Sequence, residues 1–215
     1  MIGVKASVLR SSVPAADSEI QKRILGAAFK AFTENGYAGT STLQIATRAK
    51  VSKRDLYATF ASKQAMLVAC ITTRSDKMRM PAGLPAPRTR AGLASILTAF
   101  ARNLLTETCH PAVIAMFRLA IAEAERSPEV AEAIDECREA ARQTVGDVIA
   151  QAQSLGFLPP GNPLGMADRF LALLREDLTM SLLLGVARPP RRAKIEQRAV
   201  NATGVFLKIY PLAES

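Results

Sequence analysis

Between Ser52 and Phe60 the chain reads Ser-Lys-Arg-Asp-Leu-Tyr-Ala-Thr-Phe. A serine followed three residues later by an acid starts a helix, because each side chain can satisfy the other's backbone N–H. With Leu56 and Phe60 turned inward, Lys53, Arg54, Asp55, Tyr57, Ala58 and Thr59 are left for the outer side. Forked cationic donors, a carboxylate and hydroxyls on one short rod are the groups that read base edges in a DNA major groove, N-terminal residues leading. Arg54 is the expected specificity residue, since a guanidinium gripping a guanine edge discriminates by about 1–3 kcal/mol. Little else in the chain suggests chemistry. Glu107 and His110 have the Glu-x-x-His spacing of di-iron bundles, but such a site needs two pairs and the chain has one His. No Gly-rich phosphate loop, paired catalytic acids or nucleophile elbow occurs, so a helical-bundle enzyme or metal-binding protein is the weaker alternative and no cofactor is expected.

A reading rod must be held. Upstream, Ser41 and Gln44 repeat the capping pattern and start a helix to Ala49, and Lys50 and Val51 make a tight turn. Two short capped helices joined in this way are a helix-turn-helix. Leu43, Ile45, Ala46, Ala49, Val51, Leu56 and Phe60 are expected to hold it together. An earlier helix opens at Ser18, buries Ile20, Ile24, Ala28, Ala31 and Phe32, and stops at Gly36; a fourth runs from Ser62 to about Lys77. Residues 1–16 read as a flexible basic arm and 17–79 as the DNA-binding domain. Pro81, Gly83, Pro85 and Pro87 break the chain, and 88–215 form a second domain. Helical patterns there cover about 89–107, 111–126, 128–155, 163–185 and 191–209. The expected fold is all-α with about nine helices: a three-helix helix-turn-helix head and a larger helical ligand-binding and dimerisation domain.

Charge agrees with this division. Residues 1–80 hold 13 Lys/Arg against 5 Asp/Glu, whereas residues 81–215 hold 15 against 14. A basic excess confined to the head attracts a polyanion, nucleic acid being the commonest, or else forms a solubilising face; charge alone favours neither. A membrane-surface binder would need its cations along one amphipathic face; here they flank two short capped helices. No uncharged apolar run approaches the ~18 residues of a membrane span, and no signal peptide is visible. Cys70, Cys109 and Cys137 are odd in number and widely spaced, which suits small buried hydrophobes in a reducing, cytoplasmic setting.

The stretch AAFKAFTENGYAGTSTLQIATRAKVSKRDLYATFASKQAML resembles the head of the TetR family of bacterial regulators. The match carries a Phe-x-x-x-Gly-Tyr stop, a Thr-Ser-Thr entry, then Ile-Ala, Val-Ser, Leu-Tyr-x-x-Phe and Ser-Lys in register. The resemblance implies that Thr42, Tyr57 and Lys63 bind phosphates, that Ser52 bonds backbone first and DNA second, and that Lys53, Arg54, Asp55 and Thr59 read bases. Lys50 departs from the usual Gly, so its turn is strained or its charge reaches a phosphate. Arg54, Asp55 and Thr59 also depart from the pattern, so the target sequence is this chain's own.

From His110 to Pro211 the chain resembles the AefR-like branch, through RLAIAEAERSPEV and FLALLREDLTMSLLLG. That resemblance implies a regulator, most simply a repressor, binding a palindromic operator as a homodimer through its last two long helices and released by a small-molecule effector. Helix 163–185 is apolar nearly all round, and the last helix adds Ile195, Val200, Val205, Phe206 and Ile209. Candidate effector contacts are Phe100, Asn103, Leu104, Met116, Phe117 and Arg118, though for the first five plain core packing is the favoured reading. Arg118 within an apolar run could instead pair with Glu123 or another acid.

Overall fold

The computed structural model describes residues 15–75 and 87–212. Residues 1–14 of the expected arm and most of the proline-rich break lie outside the described residues, while Ala15 and Ala16 belong to the first helix. The chain divides into two compact units, residues 1–66 and 67–215.

In the first unit, α1 (Ala15–Asn35), α2 (Thr42–Ala49) and α3 (Lys53–Thr59) pack together, followed by the start of α4 (Lys63–Ser75). α1 begins three residues before Ser18, so Ser18 lies within the helix and does not open it. Gly36 ends it at φ 72°, the left-handed conformation that glycine adopts without steric cost. Both expected capping boxes form, Ser41 with Gln44 and Ser52 with Asp55. Ile24, Ala28, Phe32, Ile45, Ala46 and Leu56 are almost wholly buried. Leu43 is not among them: it is 64% exposed, because α2's inner face is set by Ile45, Ala46 and Ala49 and position 43 falls outside that stripe.

The second unit contains α5 (Arg90–Thr108), α6 (Pro111–Glu123), α7 (Pro128–Ser154), α8 (Pro163–Arg175), α9 (Leu178–Leu184) and α10 (Arg192–Ile209). Starts are chemically marked. Thr89, His110 and Asn162 cap α5, α6 and α8 with side-chain acceptors, and proline occupies the first turn of α6, α7 and α8. α5 packs on α10, α7 on α8, and α8 on α10. Leu93, Leu97, Phe100, Val145, Ile149, Phe170, Leu174 and Phe206 form the centre of one core. Phe170 and Phe206 meet edge to face, centroids 5.4 Å apart. A methyl on Gly146 would come within 2.7 Å of the Leu164 side chain, so α7 and α8 approach closely where the chain has no side chain to spare.

The apolar run 163–185 is not one helix. It breaks after Arg175, where Glu176 adopts φ 42°, ψ −130°. That conformation costs a non-glycine residue about 1–3 kcal/mol and persists only when surrounding contacts hold it. Arg198 on α10 supplies them: its guanidinium pairs with Glu176 at 2.9 Å and reaches the Leu174 and Arg175 carbonyls at 3.5 and 3.3 Å. The leucines on both sides hid this break, since they keep helical spacing across the charged Arg175-Glu176-Asp177 triplet that marks it. Among the described residues no strand occurs and no single helix is long and apolar enough to cross a membrane.

Candidate nucleic-acid interface

The interface is built from the turn outward. Lys50 ends α2 in the left-handed region (φ 54°, ψ 47°), its N–H directed to the Ala46 and Thr47 carbonyls. A glycine would adopt this without penalty; lysine carries it because the turn is clamped from α1. Arg23 donates from Nε (3.0 Å) and Nη2 (2.6 Å) to the Ala49 carbonyl and also from Nη2 to the Lys50 carbonyl. A guanidinium at the carbonyl end of a helix satisfies orphan acceptors and opposes the helix dipole. These bonds span 26 and 27 residues, and no local signal in the sequence announced them.

α3 then projects its outer side. Lys53, Arg54, Asp55, Tyr57 and Ala58 are exposed, Thr59 is half-buried, and Leu56 is fully buried beneath them. Ser52 Oγ accepts from the Asp55 N–H (3.0 Å) and donates to Asp55 Oδ2 (2.7 Å). That hydroxyl bond first, and the Ser52 N–H second, hold the Asp55 carboxyl below the usual carboxylate range, with Arg54 adding a smaller pull. Asp55 is therefore ionised and committed to the cap. Thr59 Oγ1 donates to the Asp55 carbonyl at 2.8 Å, so that proton is also spent within the helix.

Thr42 opens α2 next to α3: its hydroxyl lies 3.1 Å from the Tyr57 hydroxyl. Lys53 Nζ sits 5.9 Å from the Tyr57 ring centroid. The fold thus gathers Thr42, Lys53 and Tyr57 at one edge, and keeps Arg54 and Lys50 exposed. Lys63 is placed differently. It is half-buried, donates to the Tyr37 and Thr40 carbonyls (2.8 and 3.0 Å), and lies 4.1 Å over the Tyr37 ring. Two of its three protons hold the α1–α2 loop, leaving one to face outward.

The residues considered for an effector separate. Leu104 and Phe117 line a cavity in the second unit. Phe100 and Met116 lie in the core, and Asn103 is half-buried on α5. Arg118 pairs with backbone rather than with Glu123: it donates to the Leu183 and Leu182 carbonyls, both at 2.7 Å, at the end of α9. The cavity also takes in Thr108, Cys137, Arg138, Leu174, Arg175 and Thr179, which the sequence reading passed over. Arg175 carried the same signal that drew attention to Arg118, a cation inside a leucine-rich run. His110 Nδ1 accepts from the Ala112 N–H at 3.2 Å, a helix cap, and the described residues contain no group of three or more candidate metal ligands.

Residues 24–70 match the family described as bacterial regulatory proteins, tetR family, and residues 95–211 match the AefR-like transcriptional repressor C-terminal domain. The HTH-type transcriptional regulator YvkB of Bacillus subtilis (strain 168) is 26% identical over 189 residues, 87% of this chain and 95% of that protein. The solved structure of the flavonoid-responsive regulator FrrA is 30% identical, covers 92% of this chain and 100% of its own, and superposes with a TM-score of 0.72. A TetR-family structure from Mesorhizobium loti shares the fold at TM-score 0.77 and 22% identity, over 90% of this chain and 98% of its own. The second match alone covers more than half of the 215 residues. The chain belongs to the TetR family of helix-turn-helix, DNA-binding transcriptional regulators.

Proposed function

We propose that this chain represses transcription by binding a palindromic operator as a homodimer, and that a small molecule held in its larger unit releases it. The observation that carries the DNA half is the exposed outer face of α3, braced underneath by Leu56 and at its start by the Ser52–Asp55 box. In this reading Lys53 and Arg54 meet base edges, and Thr42, Tyr57, Lys50 and the remaining Lys63 proton meet phosphates. Ser52, Asp55 and Thr59 shape the rod more than they touch the duplex, since their polar groups bond to one another and to backbone. Such a protein works where the chromosome is, in the cytoplasm.

Supporting a dimer, α9 and α10 expose apolar side chains that water does not favour: Met180, Leu184, Val200, Val205 and Ile209 are each at least 43% exposed. A second copy covering them buries that surface and sets two heads at the spacing of a two-fold operator. Selection of bound duplexes from a random pool tests the reading. An inverted repeat should emerge, with log affinity falling steeply against log salt. Winners without two-fold symmetry would refute the dimeric operator, and equal binding to every duplex would refute sequence-specific regulation.

A further inference from the structure

Five helices of the second unit, α5 to α9, line a cavity of about 150 Å³ that opens to solvent. Leu104, Leu105, Phe117 and Leu174 make most of its wall apolar. A space of this size accepts a body about as large as benzene. Arg175 and Thr179 stand on either side of the α8–α9 break and both face into it. The strained Glu176 between them is thus what adds a guanidinium and a hydroxyl to a mostly apolar wall whose other polar members are Thr108, Cys137 and Arg138.

Arg175 differs from the arginines around it. Arg138 pairs with Asp135 at 2.8 Å, and Arg142 with Asp168 at 2.7 Å and Glu139 at 3.1 Å. Arg175 is half-buried and makes no side-chain hydrogen bond or ion pair to any described residue. Burial above all, then the nearby Arg138 charge, disfavours its protonated form, and Asp168 offsets only part of this. A guanidinium stays charged under such conditions, so a cation with five donors waits at the cavity wall.

We propose that this cavity binds a small aromatic or short-chain organic acid, its apolar body against Phe117 and Leu174 and its anionic oxygens on the Arg175 guanidinium. Two oxygens of a carboxylate match the guanidinium fork, and Thr179 can donate a further bond. A neutral isostere fills the same volume but leaves the cation unanswered, and an amine adds a second positive charge beside it. The proposal rests on the effector reading for its regulatory meaning, yet the site is testable without it.

The probes are benzoate, benzamide and benzylamine, measured by calorimetry on the full chain and by their effect on alkylation of Cys137, whose thiol also lines the cavity. Benzoate should bind and slow Cys137 alkylation, with benzamide at least about tenfold weaker and benzylamine weaker still. Arg175→Met should bring benzoate down to the benzamide level, and Arg175→Lys should keep a preference for the anion. Because Arg175 has no partner to orphan, the Met variant should fold at least as stably as the parent. Absence of benzoate binding, equal binding of benzoate and benzamide, or an unchanged preference in Arg175→Met would each overturn the proposal. Arg175-dependent binding that leaves operator affinity unchanged would establish the anion site while refuting the effector reading.

Discussion

Lys50 is where the folding and DNA-binding demands on the head oppose each other, and Lys50→Gly separates them. At φ 54° the lysine Cβ crowds the following carbonyl, which costs an L-residue about 1–2 kcal/mol. Glycine removes that cost and brings back about 0.5–1 kcal/mol of extra unfolded-state entropy. The Arg23 clamp binds main-chain carbonyls, so it survives the substitution. The net expectation is a head more stable by about 0.5–1 kcal/mol, measured by urea unfolding. On DNA the sign reverses. Losing one phosphate cation per protomer, two per dimer, should flatten the plot of log affinity against log salt by about 1.8. Lys50→Asn provides the control, since asparagine tolerates the left-handed region but also lacks the charge. It should match Lys50→Gly in salt slope and fall between the two in stability. A Gly variant less stable than the parent would refute the strain argument, and an unchanged slope in both variants would remove Lys50 from the interface.

Arg54→Ala should lower affinity for the selected operator by about 1–3 kcal/mol while leaving binding to random duplex nearly unchanged; uniform loss on both would make Arg54 a phosphate contact instead. Val200→Glu, placing a charge on a side chain 51% exposed on α10, should yield monomers in sedimentation with helix content intact, and an undisturbed dimer would move the interface elsewhere. Cys70, 4% exposed and with its thiol pushed up to about 12 by burial, holds roughly a thousandfold less thiolate at pH 8 than an ordinary cysteine. Ellman's reagent should therefore find Cys137 first, Cys109 being buried with its thiol also raised, and a native chain that loses this fast phase in Cys70→Ser but keeps it in Cys137→Ser would contradict the burial. The Asp55 carboxyl is lowered in the folded head, so its contribution is present above about pH 3.9 and is lost as pH falls through the lowered value. Thermal melts of parent and Asp55→Asn should accordingly begin to converge as pH falls below about 3.9 and meet only below the lowered Asp55 value; a gap that does not narrow at all on acidification would show that the charge does not matter.

What the sequence made legible was local. Capping boxes at Ser41 and Ser52 and the Gly36 stop are decided within four residues, and each stands where the pattern placed it. The outer face of α3 followed from the same short-range logic, because Leu56 and Phe60 fix which side is inner. Misreadings arose where distant groups decide. Leu43 looked like core by type, yet α2 has only one buried stripe and Leu43 lies off it. The α8–α9 break depends on Arg198, more than twenty residues along the chain from the residues it holds. Lys63, which the resemblance assigns to phosphate, also gives two of its protons to the α1–α2 loop, bonds that no local pattern announced.

That last point changes how the basic charge should be counted. Four arginines in this fold act as clamps on carbonyls left over at the ends of other helices or loops. Arg23 does so for α2 and Arg118 for α9. Arg198 does so for α8, while Arg90 reaches the Phe157, Leu207 and Tyr210 carbonyls together. Each exchanges water for charge-assisted bonds to backbone, which lysine's single ammonium could not make in the same forked geometry. The excess of 13 basic over 5 acidic residues in the first 80 is therefore larger than the charge offered to DNA, since Arg23 and two of the Lys63 protons already serve the head itself. The same count isolates Arg175. Arg175 borders the apolar cavity on one side and Asp135, Glu139 and Asp168 on the other, yet bonds to none of these carboxylates, so its donors are left for an acceptor from outside.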